Sequence, residues 1–232
     1  MKHINYILIL LILISCSTSK KLTEPSSQPT KFVFKKSMVS SKSGITKLKS
    51  KTDSLINTTY NPKGKDSLMN KELKEIQMTE FLTQTPETEI YIEVKNDSIW
   101  RYTKQNGKMI GDYFMIKKNS GVLNYYDKSK TVNYRKYDLF AKNHKYEIIE
   151  NRKNKKEING FDCYKLTLIK KDEESDTGNT IYEMYVTDKI ELPIHSVINL
   201  NKLVQNTFPM EIRISEEKLS GLAEQYELIK IE

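Results

Sequence analysis

The chain has two cysteines, and their surroundings point to different chemistry. Cys16 follows Leu13-Ile14-Ser15, an apolar pair and a small residue, at the end of an apolar run from Ile4 to Ile14 that only Asn5 interrupts. A thiol there can form a stable thioether to diacylglycerol, and cleavage before Cys16 would free its amine for a further acyl chain. With Cys16 committed to lipid, Cys163 has no intramolecular partner, although an exported compartment would support disulfides. It is therefore expected to be a small buried hydrophobe. His144 and His195 sit in no recognisable catalytic spacing around it. Asp112, Asp138 and Glu183 are the carboxylates nearest to acid–base candidates. No Cys/His metal cluster, phosphate-binding glycine loop or G-x-S-x-G elbow accompanies them. The expectation is no enzyme activity, no metal and no cofactor.

The segment that positions Cys16 has the grammar of a cleavable signal peptide: Lys2 as the positive start, then the apolar run. Its eleven residues reach roughly 16 Å as a helix, against a hydrocarbon core of about 30 Å, so the run is too short to span a bilayer. The cysteine at its end resembles the lipobox read by the bacterial lipoprotein-processing enzymes. Residues 1–15 are the expected signal peptide and 16–30 a lipidated cysteine with a flexible tether rich in Ser, Thr, Lys and Pro. The expected membrane partner is thus reached through covalent lipid. Ser17-Thr18-Ser19-Lys20-Lys21 lacks the acidic residue of inner-membrane retention signals, which favours the outer membrane, on its periplasmic face.

Removing residues 1–15 from the 232 leaves 217, enough for one sizeable domain. The formal charge of +8 falls to +7 as Lys2 leaves. A basic balance can signal nucleic acid, but the lysines are scattered, and the basic stretch Arg152 to Lys156 is followed by the acidic run Asp172 to Asp176. No nucleic-acid partner is expected.

Residues 31–232 read as a single β-rich domain. A strand is expected over Phe32–Ser40, and 41–65 is polar and poorly periodic, a possible irregular insertion. A helix capped at Asp66 or Ser67 carries Leu68, Met69, Leu73, Ile76 and Leu82 until Pro86. Period-two alternation then begins at Ile90, Ile92 and Val94, turns at Asn96-Asp97, and continues through Ser98–Tyr102. Further strands are expected over 109–117, 122–126, 131–137, 146–150, 161–170, 180–187, 196–204, 210–215 and 226–231, with turns at Asn106-Gly107, Asn119-Ser120-Gly121 and Asp127 to Ser129. The fold class is mainly β (α+β). About ten strands form a curved antiparallel sheet or half-open β-barrel with one or few covering helices.

The stretch Lys156-Glu157-Ile158-Asn159-Gly160-Phe161-Asp162-Cys163-Tyr164-Lys165 resembles the I-x-G-[FY]-x-C-x-K pattern of GLPGLI-type envelope proteins and related domains of unknown function. Tyr185-Val186-Thr187-Asp188-Lys189-Ile190-Glu191-Leu192-Pro193-Ile194 is similar to their second shared element. The match spans 87–232, and Phe208-Pro209-Met210-Glu211-Ile212 stands where the Gly-Leu-Pro-Gly-Leu-Ile motif itself would be. The resemblance implies a half-open barrel like the periplasmic lipoprotein carrier and its outer-membrane receptor, which bind acyl chains on the concave side.

Two binding roles follow. An envelope structural or interaction protein would present Trp100, Tyr102, Tyr125, Tyr126, Tyr134 and Tyr137 to a partner protein. Alternatively, a concave face lined by Ile110, Phe114, Ile116, Tyr164, Leu166, Leu168, Met184 and Val186 would hold a lipid or another apolar ligand.

Overall fold

Strand alternation dictates the architecture: Ile90 and Ile92 turn inward with Ile99, Ile116 and Leu123, while the residues between them face the other way. The computed structural model describes residues 28–59, 86–139, 145–172, 174–200, 207–219 and 221–232, with the backbone alone over 51–59. The anchor at Cys16, most of the tether and the helix expected after Asp66 lie outside the described residues.

The elements are β1 (Lys31–Ser40), α1 (Lys42–Thr59), β2 (Thr88–Lys95), β3 (Ser98–Gln105), β4 (Lys108–Lys117), β5 (Val122–Tyr126), β6 (Asn133–Asp138), β7 (Tyr146–Ile158), β8 (Phe161–Lys170), β9 (Thr180–Thr187), β10 (Phe208–Glu216) and β11 (Leu222–Ile231). They form one antiparallel eleven-stranded sheet in the order β6-β5-β4-β3-β2-β1-β11-β10-β9-β8-β7. The described strands start mid-sheet at β1, meander to the β6 edge, resume at the β7 edge and meander back, so that β1 pairs with both β2 and β11.

This connectivity forces curvature. Ten inter-strand gaps would hold the edges of a flat sheet about 48 Å apart. Asp138 ends β6 and Tyr146 begins β7, and the chain between them spans at most roughly 28 Å. The sheet must therefore curl until its edges approach, yet β6 and β7 do not pair and the barrel stays open.

The concave side is filled by protein. Phe32 and Phe34 of β1 meet Phe208 of β10 at ring-centroid separations of 4.6 and 6.0 Å. The connection from β9 to β10 crosses the interior and buries Ile190, Leu192, Ile194, Val197, Ile198 and Leu200 against the strands. The strand expected over 196–204 is not formed at its start: Ile194–Ser196 is a 3-10 turn and the chain to Leu200 is irregular. Strand period is lost there because these side chains are buried nearly all round, which alternation cannot satisfy.

The stretch with no clear periodicity holds α1. Ser41 caps it: its Oγ accepts from the Gly44 backbone N–H at 3.1 Å, and its own N–H donates to the Gly221 carbonyl at 2.7 Å. A Cβ on Gly44 would stand 2.6 Å from the Gly221 backbone, so glycine is what lets helix and turn meet. The basic run Arg152 to Lys156 continues β7 to Ile158. Asn159 and Gly160, with φ of 51° and 79°, make the tight turn into β8.

Candidate functional site

The side chains that line the concave face in sequence are mostly core. Ile116, Tyr164, Leu166, Leu168, Met184 and Val186 are buried together, and Phe114 packs against them. Ile110 is half-buried and outside that cluster. These residues share one face through cross-strand pairs, Tyr164 with Val186, Leu166 with Met184 and Leu168 with Tyr182.

Beside this packed region is a pocket of about 270 Å³ lined by Ile90, Arg101, Thr103, Tyr182, Val197, Ile198, Asn199, Ile214 and Tyr226. None of the eight expected lining residues is among them. They are neighbours of it instead: Phe114 is opposite Arg101, Ile110 opposite Thr103, and Leu168 opposite Tyr182. The signal for Arg101 lay in the alternation itself. Ile99, Arg101 and Thr103 share the inward phase of β3, and an arginine in that phase puts a charge where the pattern calls for an apolar side chain.

Arg101 is only 7 % exposed. One terminal nitrogen donates to the Val197 carbonyl at 2.7 Å, the other donates to Asn199 Oδ1, and the guanidinium lies 5.3 Å from the Phe114 ring centre. No carboxylate among the described residues forms an ion pair with it. Burial pushes its pKa down to about 10, with the nearby Tyr226 and Tyr125 acting against that, so it remains a cation at neutral pH. Burial likewise pushes the Tyr182 phenol up to about 12 and raises Tyr226, which keeps both as neutral hydroxyls. Tyr226 donates to Glu224, which Lys36 pairs at 2.9 Å, so that carboxylate is already engaged next to the pocket. A buried cation with neutral acceptors and apolar walls has the chemistry to accept an anion that also carries an apolar part.

A wider depression of about 670 Å³ lies beside Gln28, Pro29 and Thr30, with Asn159, Phe161 and residues 229–232. None of its lining residues is a buried charge, and it offers no comparable handle.

The opposite face of β2 to β5 carries aromatics. Trp100, Tyr102 and Tyr126 group with Tyr91 and Tyr113. Tyr125 and Tyr137 pack toward the core instead, and exposed Tyr134 donates to Asp112. Sequence reasoning thus named three of these five rings and missed Tyr91, which is the cross-strand partner of Tyr102, and Tyr113, which a bulge between β3 and β4 brings beside Tyr102.

The remaining candidates are engaged structurally. Glu183 pairs with Lys165 at 2.7 Å, and His195 is buried with Nε2 3.1 Å from the Lys118 carbonyl; His144 lies outside the described residues. Asp138 ends β6 with its side chain exposed. No group of three or more metal-ligating side chains occurs among the described residues. Cys163 is 1 % exposed, and burial raises its thiol to about 11. Since the thiolate is the reactive form, raising the pKa makes it scarcer at pH 8. Native protein carrying Cys16→Ser is expected to leave Cys163 unlabelled by a disulfide reagent at pH 8 over minutes, whereas in urea one thiol per chain reacts. Rapid labelling of the native form would contradict a buried thiol.

No protein-family model matches the chain, and no curated protein sequence matches it. A solved structure that superposes on it is the lipoprotein LppX of Mycobacterium tuberculosis, covering 88% of this chain and 86% of that one at 6% identity with a TM-score of 0.31. Likeness of that size carries no argument about function, and the similarity to GLPGLI-type proteins rests on its two motifs alone.

Proposed function

We propose that this protein is a lipid-anchored component of a bacterial envelope whose domain works by binding rather than turnover, and that its ligand is a short amphiphile with an anionic head. The observation that supports this reading is Arg101, a buried guanidinium facing a pocket and partnered, among the described residues, by neutral oxygens. Burying an unpaired charge costs several kcal/mol, a penalty that an entering carboxylate or phosphate offsets. Apolar side chains of Ile90, Ile198 and Ile214 face the tail. The volume sits just under the common range of small-ligand pockets, which begins near about 300 Å³, so a single short chain fits better than a diacyl lipid. The lack of an acidic residue in Ser17-Thr18-Ser19-Lys20-Lys21 supports attachment through Cys16 to the outer membrane, facing the periplasm.

The test is calorimetric titration of detergent-free, full-length Cys16→Ser protein with octanoate and octanol. Octanoate is expected to bind and octanol to bind at least tenfold more weakly. Arg101→Leu should lose roughly 30-fold or more in octanoate affinity, since breaking a buried charge pair costs about 2 kcal/mol or more. Equal binding of acid and alcohol, or an Arg101→Leu variant that folds and binds like the wild type, would sink the reading. A second reading, an interaction protein, is favoured by the aromatic rings on the far face. Recovery of only monomer after crosslinking in intact cells would count against it.

A further inference from the structure

On the face opposite the core, three aromatic rings stand around one ammonium group. Lys130 Nζ lies 4.3 Å from the Tyr113 ring centre, 5.4 Å from Trp100 and 5.7 Å from Tyr102, all within cation–π range. The rings are walls rather than a stack: Trp100 meets Tyr113 at 73° and Tyr102 meets Tyr113 at 49°. Tyr126 tilts against Trp100 at 5.3 Å and extends the wall.

A carboxylate stands at the rim. Glu93 accepts from the Tyr102 hydroxyl at 2.9 Å and pairs with Lys95 at 2.9 Å. Burial works against its ionisation, but those two hydrogen bonds and the charges of Lys95 and Lys130 hold it below its ordinary range. It is an anion at neutral pH. The preference for ammonium repeats on the neighbouring rings: Tyr91 stacks on Tyr102 at 5.1 Å, and Lys104 Nζ sits 4.5 Å from the Tyr91 ring centre.

Lys130 comes from the exposed turn between β5 and β6, at a φ of 63°. Asp127 shapes this turn, its carboxylate accepting from the Thr131 and Val132 backbone N–H groups at 2.9 and 3.2 Å. The turn delivers the ammonium to the box and needs no contact inside it. We propose that the box of Trp100, Tyr102 and Tyr113, with Glu93 at its rim, is a binding site for the ammonium group of an organic cation, and that Lys130 occupies it from within the same chain. Rings and a carboxylate together suit a quaternary ammonium, which is attracted to ring faces and weakly hydrated.

Trp100 is the chain's sole tryptophan and forms one wall, so its emission reports on the box. The full chain is titrated with choline chloride against sodium chloride at equal ionic strength, as wild type and as Lys130→Gly, which removes the ammonium and suits the positive φ. A tethered group competes at an effective concentration on the order of millimolar. Lys130→Gly is therefore expected to give a saturable change with half-saturation at least fivefold lower than wild type. Adding Tyr113→Leu to Lys130→Gly should abolish it. Vesicles of phosphatidylcholine beside vesicles of phosphatidylglycerol then separate the sources: a selective response to the former assigns a lipid headgroup, and a response to free choline alone assigns a soluble cation. Identical responses to choline and sodium chloride in Lys130→Gly, or a saturable response that survives Tyr113→Leu, would overturn the site.

Discussion

Replacing Cys16 by serine is expected to move the whole protein population from the membrane fraction to the soluble periplasm, with residue 16 unmodified in the intact mass. Serine has no thiol from which to build the thioether, and the tether that follows offers little apolar surface to hold a bilayer. Each buried methylene contributes about 0.8 kcal/mol; one acyl chain binds only marginally, and two or three hold effectively permanently. On the proposed anchoring, attachment is thus all or none in the thiol. The wild type, extracted from membranes, is expected to lack residues 1–15 and to carry acyl mass. A soluble, unacylated wild type would show that the Leu13-Ile14-Ser15-Cys16 segment serves ordinary secretion.

Phe208→Ala is expected to cost about 3–5 kcal/mol, the usual range for truncating a fully buried phenylalanine. Phe208 is fully buried and lies against Phe32 and Phe34, so its ring connects the first strand of the domain to the strand that follows the interior crossing. Against a typical total stability of roughly 5–15 kcal/mol, that loss is a large fraction, and melting should fall by roughly 10 °C or more. Urea unfolding measures it directly. Ile148→Ala on the exposed edge strand is the control, expected within about 1 kcal/mol of wild type because Ile148 is already 43% exposed. Phe208→Ala unfolding at the wild-type urea concentration would show that this aromatic cluster does not carry the core.

What was legible along the chain, and what was not, follows from how local each signal is. Ile90, Ile92 and Ile99 announce their strands because alternation needs only neighbours, and Asn96, Asn106 and Gly107 announce turns because their positive φ favours those residue types. The capped helix after Ser41 was obscured by Gly44, whose value lies in a contact with Gly221 far along the chain. The strand expected over 196–204 reads so because its start is apolar, yet up to Leu200 the chain lies in the interior, where burial on nearly all sides removes any period.

The candidate site divides in the same way. The sequence by itself determined the antiparallel class, the face that would be concave, and the local context that separates Cys16 from Cys163, because each depends on residue type and short-range spacing. Only the tertiary structure decided that the concave face is packed with the chain's own side chains, that Arg101 is buried there with no carboxylate partner among the described residues, and that Lys130 meets three rings. Those outcomes depend on long-range register: the bulge between β3 and β4 sets which aromatics meet, and the β9–β10 connection brings the Val197 carbonyl to a guanidinium 96 residues earlier. Alternation assigns a residue to a face; which element then covers it is settled by where the sheet curls.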